Sequence, residues 1–142
     1  MADQDYGQLY RRVIDEVFNR GHLEVADELV APRAVEHQKS GMGDGPEGLK
    51  RVATTLRRAF PDFTLTIEDL VVDGDKVWAR QRGGGTNLGS FMGRPATGKT
   101  AYIDVFDVCR FENGKMVEHW GVPDQLAMLL QLGLMPVPAR QI

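Results

Sequence analysis

At Pro61 the chain changes its hydrophobic period, and that change limits the folds open to it. Before it, apolar residues recur at helical spacing: Leu9, Tyr10, Val13, Ile14, Val17 and Phe18 form one stripe, so a helix is expected over Asp5 to Arg20 with Gly21 at its end. Val25, Ala26, Leu29 and Val30 define a short second helix stopped by Pro32, and "AVEH" (34–37) a short extended piece. After the loop "GMGDGPEG" (41–48), Pro46 suits the first turn of a third helix carrying Leu49, Val52, Ala53, Leu56 and Phe60. Beyond Pro61 the period is two. "FTLTIEDLVV" alternates Phe63, Leu65 and Ile67 with polar residues, "DGD" (73–75) turns the chain, and "KVWARQR" is the next strand, ended by "GGG" (83–85). "TAYIDVFDVCRF" and "MVEHWG" form a hairpin about "ENGK". Pro123 and Asp124 then open a last helix with Leu126, Met128, Leu129, Leu130 and Leu132, where Asp124 is expected as the cap. Helices first and an antiparallel meander after is an α+β arrangement, with helices on one face of the sheet.

"GRPATGKT" (93–100) matches the phosphate-loop pattern G-x-x-x-x-G-K-[ST]. Such a loop works by placing phosphates on the N-terminus of the helix that follows. Here Tyr102, Ile103, Val105, Phe106 and Val108 follow, which reads as a strand, and Pro95 removes one N–H. The segment is therefore expected to be a strand-to-strand connection, not a nucleotide site.

The 142 residues suit one domain, with a core at about 6–134 and a loose Pro-rich tail at 135–142. The net charge of −3 argues against a nucleic-acid partner. No apolar stretch is long enough for a membrane span, and "MADQDYGQLY" lacks the basic and apolar regions of a leader, so a cytoplasmic location is expected. Cys109 is the single cysteine, which excludes an intrachain disulfide and a cysteine-based metal cluster.

A three-residue loop at "ENG" (112–114) would pair Phe111 with Lys115, Cys109 with Val117 and Asp107 with His119. Val105, Asp107, Cys109, Val117, His119 and Gly121 then share one face, and Phe106, Val108, Arg110, Glu118 and Trp120 the other. A two-residue turn would instead pair Asp107 with Trp120. A carboxylate beside an imidazole suits proton transfer near neutral pH; the same pair also serves as a plain structural hydrogen bond. Arg80 and Arg82 share a face with Trp78. They either point inward to bind an enolate or carboxylate oxygen, or lie on a solvated outer face. His37 is a structural histidine or a base at the pocket mouth, and Cys109 fills space near the pair. Met42, Trp78, Phe91, Met92, Leu126 and Leu130 are candidates for an apolar wall. Phe106, Val108 and Trp120 on the opposite face are too apolar for open water, so a homodimer is expected there.

The runs "YRRVIDEVFNRGHLEVADELVAPRAVEH", "GPEGLKRVATTLRRAFPDFTLTIEDLVVDGDKVWAR", "GTNLGSFMGRPATGKT" and "FDVCRFENGKMVEHWGVPDQLAMLLQLG", in that order, resemble the SnoaL-like polyketide cyclase family of the nuclear transport factor 2-like superfold. The resemblance covers about residues 6–134. It implies a curved antiparallel sheet forming a cone, closed by three N-terminal helices, with a short C-terminal helix. It implies a cofactor-free and metal-free enzyme that acts on a small, apolar, carbonyl-bearing molecule of polyketide type. The reaction would be acid–base catalysed intramolecular C–C bond formation, with His119 as base, Asp107 as its orienter or second acid–base, and Arg80 or Arg82 on the oxyanion. His37, Trp78, Phe91, Met92, Cys109 and Leu126 would contact substrate. In the family's characterised cyclases an aspartate two places after the position of His119 is the acid–base, and a cavity histidine stands at the position of Asp107. This chain has Gly121 and an aspartate there, so acid and histidine are exchanged onto neighbouring positions. In the related limonene epoxide hydrolases Arg80 matches one member of an Asp–Arg–Asp triad, but Arg82 and Gly121 replace the two aspartates, and that chemistry is not expected. An oxygenase, hydratase or isomerase in the same pocket, or an inactive binding homologue, are the other readings.

Overall fold

The computed structural model describes residues 5–136. The expectations for the tail at 137–142 lie outside them. Helix α1 (Tyr6–Arg12) starts at Asp5, whose side chain accepts the Gln8 N–H, and runs into a π-helical segment (Val13–Asn19). The expected single stripe thus survives, but its second half is wound wider. Helix α2 (Val25–Leu29) leads directly into strand β1 (Val30–Glu36). Pro32, read as the stop after the helix, lies inside that strand, which is possible because β1 is at the edge of the sheet. Helix α3 (Gly45–Ala59) has Pro46 in its first turn.

Strands β2 (Thr64–Asp73), β3 (Lys76–Thr86), β4 (Thr100–Glu112) and β5 (Lys115–Pro123) form the antiparallel meander, and α4 (Gln125–Gln131) follows with Asp124 accepting the Ala127 N–H. The sheet order is β1-β5-β4-β3-β2, and β1 runs parallel to β5. The sheet is therefore mixed rather than wholly antiparallel, because β1 precedes the meander and joins β5 without a hairpin between them, Glu36 meeting His119 across 83 residues of sequence. Strand β3 also extends through the glycines expected to end it. A Cβ on Gly84 would overlap the Ala101 carbonyl, so only glycine permits that close approach to β4.

α1 with its π-helical continuation, α2 and α3 close the concave side of this sheet, and α4 packs on β4. Tyr10, Ile14, Phe60, Phe63, Val77, Phe111, Met116 and Leu132 are buried in one cluster between helices and sheet. Each such side chain contributes on the order of 1.5–3 kcal/mol by leaving water. The Asn19 side chain pairs with the backbone of Leu65 through both its oxygen and its nitrogen, fixing the π-helical segment to the other sheet edge. Thr100, after Lys99, opens β4, so the phosphate-loop pattern has no helix behind it; Gly93 and Gly98 turn the connection with positive φ. Among the described residues no helix is long and apolar enough to cross a membrane.

Candidate active site

The site is built on the hairpin of β4 and β5. Asn113 and Gly114 both take positive φ, giving a two-residue turn in which Glu112 faces Lys115 and Phe111 faces Met116. The three-residue loop and its pairings are thus corrected. A regular ladder from this turn would put Asp107 opposite Trp120. Instead the register shifts between Arg110 and Phe111: Val117 is an extra residue, Cys109 faces His119, and Asp107 faces Gly121. The bulge returns Asp107, Cys109, His119 and Gly121 to the concave face. His119 reaches Asp107 diagonally, Nε2 to Oδ1 at 2.9 Å, across the space left by Gly121. A Cβ on Gly121 would stand 2.8 Å from both Asp107 Oδ1 and His119 Cε1 and would overlap Gln38 Oε1.

A second carboxylate completes the arrangement. Glu36, the last residue of β1, is in register with His119 across the parallel pairing, and both its oxygens lie 2.8 Å from His119 Nδ1. The Gln38 backbone N–H donates to Glu36 Oε1 at 2.7 Å. On the far side, Asp107 Oδ2 accepts from the Tyr10 hydroxyl at 2.8 Å and from Gln81 Nε2 at 2.9 Å. The result is one chain of hydrogen bonds from Tyr10 and Gln81 through Asp107 and His119 to Glu36.

Its electrostatics follow from competition between burial and partners. Burial pulls the His119 imidazole down, but hydrogen bonds to Asp107 and Glu36, reinforced by their charges, prevail and raise it from 6.5 to about 10. His119 is therefore an imidazolium at neutral pH. Burial pushes the Asp107 carboxyl up, but the His119 hydrogen bond and charge, then Tyr10 and Gln81, bring it below the usual carboxylate value. Burial and the neighbouring Asp107 charge keep the Tyr10 hydroxyl protonated, and burial raises the Cys109 thiol as well.

Tyr10, Glu36, Asp107, Cys109 and His119 line a cavity of about 370 Å³ whose wall is otherwise mainly apolar, with Ile14, Leu49, Leu56, Phe63, Ile103 and Met128 among the lining side chains. Of the sequence candidates, Asp107, His119, Cys109, Phe91, Met92 and Met42 line it. Arg80, Arg82 and Trp78 do not. Val77, Ala79 and Gln81 are buried, so strict alternation sends these three to the convex face. Arg80 pairs there with Asp69, and Arg82 lies over the Tyr102 ring near Asp104. The expectation of an inward arginine is thus corrected. His37 also faces outward, stacked on Trp120 with ring centroids 4.6 Å apart and hydrogen-bonded to Glu118 at 2.8 Å. Leu126 is exposed because α4 turns Met128 and Leu132 inward instead. Leu130 does not line the cavity.

Glu36, Tyr10, Gln81 and Gln38 escaped the sequence reading. Gln81 had a signal, since it sits in phase with Val77 and Ala79. Glu36 had none, because its partner is 83 residues away and the parallel pairing leaves no local trace. Among the described residues there is no group of three His, Cys, Asp or Glu side chains disposed to hold a metal.

A cone of helices and curved sheet around an apolar cavity, with an acid–imidazole–acid chain in its wall, defines a small-molecule site of the nuclear transport factor 2-like fold. Residues 8–132 match the family model of the SnoaL-like polyketide cyclases, and the chain belongs to that family. It is 30% identical over 132 residues to the aklanonic acid methyl ester cyclase DnrD of Streptomyces peucetius, covering 88% of each protein. Among solved structures, TsrD of Streptomyces laurentii superposes with a TM-score of 0.85 at 28% identity, covering 95% of this chain and 100% of that one. IdmH of Streptomyces antibioticus does so with a TM-score of 0.80 at 35% identity, covering 92% of this chain and 99% of that one.

Proposed function

We propose that the chain cyclises a small, uncharged, carbonyl-bearing polyketide by acid–base catalysis, with no cofactor, using Asp107, His119 and Glu36. The observation that carries this reading is the His119 ring held between two carboxylates in the wall of an apolar cavity. A protonated His119 with both ring N–H groups engaged has no lone pair to act as base. The base is then Asp107, whose Oδ1 borders the space above Gly121. The C–H bond beside the substrate carbonyl breaks and its proton goes to Asp107. The electron pair moves to the carbonyl oxygen, and the enolate carbon attacks a second carbonyl of the same molecule. The new alkoxide then takes that proton back from Asp107, so the carboxylate is regenerated and product and substrate are isomers. His119 passes charge between Asp107 and Glu36 while the proton is held, and Tyr10 and Gln81 keep Asp107 in place. Among the described residues no lysine or arginine lines the cavity, which favours an ester or ketone over a free carboxylate.

Aklanonic acid methyl ester, named for the curated relatives, is the first substrate to try. Purified protein is expected to convert it to an isomer of the same mass with a new retention time. Unchanged ester after prolonged incubation with folded protein would remove this substrate. The proposal extends to a cytoplasmic homodimer joined through the convex face, where Trp78, Phe106 and Val122 are exposed beside Val108 and Trp120. Sedimentation at micromolar concentration is expected to give twice the chain mass, and Phe106→Glu to halve it.

A further inference from the structure

An enolate forming in this cavity places negative charge on an oxygen that apolar walls cannot solvate, and enzymes meet that need with a fixed donor near the developing charge. Most side-chain donors lining the cavity are already committed, and the Ser40 hydroxyl is the group that holds the Gln38 amide. The Tyr10 hydroxyl and the Gln81 amide both point at Asp107, and Gln81 is wholly buried. Both His119 ring nitrogens face carboxylates. The Thr55 hydroxyl is directed to the Met42 sulfur. Arg80 and Arg82 are on the other face of the sheet.

We propose that the Gln38 carboxamide is the oxyanion donor, hydrogen-bonding the substrate carbonyl while Asp107 removes the neighbouring proton. The inference rests on the cyclase reading above and names a catalytic residue for it. Three observations converge on Gln38. The first is its place: Gln38 lines the cavity beside Asp107 and His119, and its carboxamide oxygen, Asp107 Oδ1 and His119 Cε1 converge over Gly121, close enough that a Cβ there would overlap the Gln38 oxygen. A carbonyl that reaches Asp107 from the cavity therefore has the carboxylate and the amide as joint neighbours. The second is its anchoring, since the Gln38 N–H is tied to Glu36 at 2.7 Å, so the residue's backbone is fixed to the acid–base chain itself. The third is its freedom. Among the described residues the side chain is held by a single bond, Nε2 to Ser40 Oγ at 2.9 Å, and its second amide N–H has no protein acceptor. The Ser40 hydroxyl both donates and accepts, so a half-turn of the carboxamide keeps that bond and turns the amide nitrogen toward the cavity. Gln125, the other glutamine lining the cavity, is on α4 and is not among the groups nearest Gly121.

The step needs no reagent beyond the substrate. The proton goes to Asp107, the electron pair to the carbonyl oxygen, and Gln38 supplies a hydrogen bond without giving up its proton.

The test reads the hydrogen bond first and turnover second. Carbonyl-labelled 2-acetylnaphthalene, a neutral aromatic ketone, is bound to wild type, Gln38→Leu and Gln125→Leu, and its C=O stretch is recorded, with thermal melting as the check on folding. The stretch is expected to fall on binding to wild type and Gln125→Leu, and to return toward its apolar-solvent frequency in Gln38→Leu. On aklanonic acid methyl ester, Gln38→Leu is expected to lower kcat by about 10²–10³-fold with little change in KM. An identical stretch in wild type and folded Gln38→Leu, or a shift lost only in Gln125→Leu, overturns the assignment. Failure of folded wild type to bind the ketone overturns it too. A Gln38-dependent shift without cyclisation of the ester leaves Gln38 as the donor and refutes the ester as substrate.

Discussion

The two faces of β1 and β5 carry the same pair of residue types. On the concave side His119 of β5 meets Glu36 of β1; on the convex side His37 of β1 meets Glu118 of β5. Both pairs lie at 2.8 Å, and sequence neighbours contribute to opposite faces. What separates them is their surroundings. The inner histidine has a second carboxylate, Asp107, and little water, and it is driven to about 10. The outer one stacks on Trp120, and its carboxylate is shared with Arg110 at 2.7 Å in a half-buried cluster on the convex surface. Residue type and distance do not make a site; burial with a fixed set of partners does.

The largest effect expected is at Asp107. Asp107→Asn should lower turnover by about 10²–10⁴-fold in a steady-state assay. Asp107→Ala should also destabilise the fold by roughly 3–5 kcal/mol in denaturant titration, because the imidazolium loses one anion and Tyr10 and Gln81 lose their acceptor. Near-normal turnover in Asp107→Asn would erase the functional distinction between the faces. Gly121→Ala comes next. Its methyl fills the space where Gln38, Asp107 and His119 converge, and kcat should fall by up to about 100-fold while a melting curve still shows a folded protein.

The pH profile sharpens the comparison further. The folded pKa of His119 lies above its ordinary 6.5, so its contribution to stability is complete below that value and is lost as pH rises through about 10. Activity and melting temperature are expected to share that alkaline limb. Glu36→Gln removes one of the two carboxylates and should move the limb toward neutrality; an unmoved limb would mean Glu36 does not hold the proton on His119. Asp107 acts in the opposite direction. Its lowered pKa gives stability that is present above the usual carboxylate value and lost as acid is added. The smallest effect is outside: His37→Ala should change turnover by less than about twofold. A large loss there would show that the convex cluster steers the inner one.

The helices, strands and α+β cone were legible because each obeys a local period, as with the Leu9–Phe18 stripe and the alternation through Phe63, Leu65 and Ile67. Asp107 and His119 were named through a three-residue turn that is in fact a two-residue one, and they share a face only because the bulge at Val117 restores the phase. The parallel pairing of β1 with β5 was not legible, since nothing near Glu36 in sequence announces a partner at His119. The phase of β3 was readable from Val77 and Ala79, yet the charge of Arg80 and Arg82 drew the functional reading to the wrong side. The strand register was missed by the bulge at Val117, which no residue type there requires.

Val117 works as a parity bit for the hairpin. Substituting it alters packing, but the count of residues between the turn and His119 decides which side chains are enclosed. A deletion of Val117 would leave a regular ladder with His119 still opposite Cys109. An insertion beside it would turn His119 out to solvent and bring Trp120 in. The hairpin can therefore lose a residue at this point and keep its acid–base chain, whereas one more residue in a single-residue bulge turns the histidine outward.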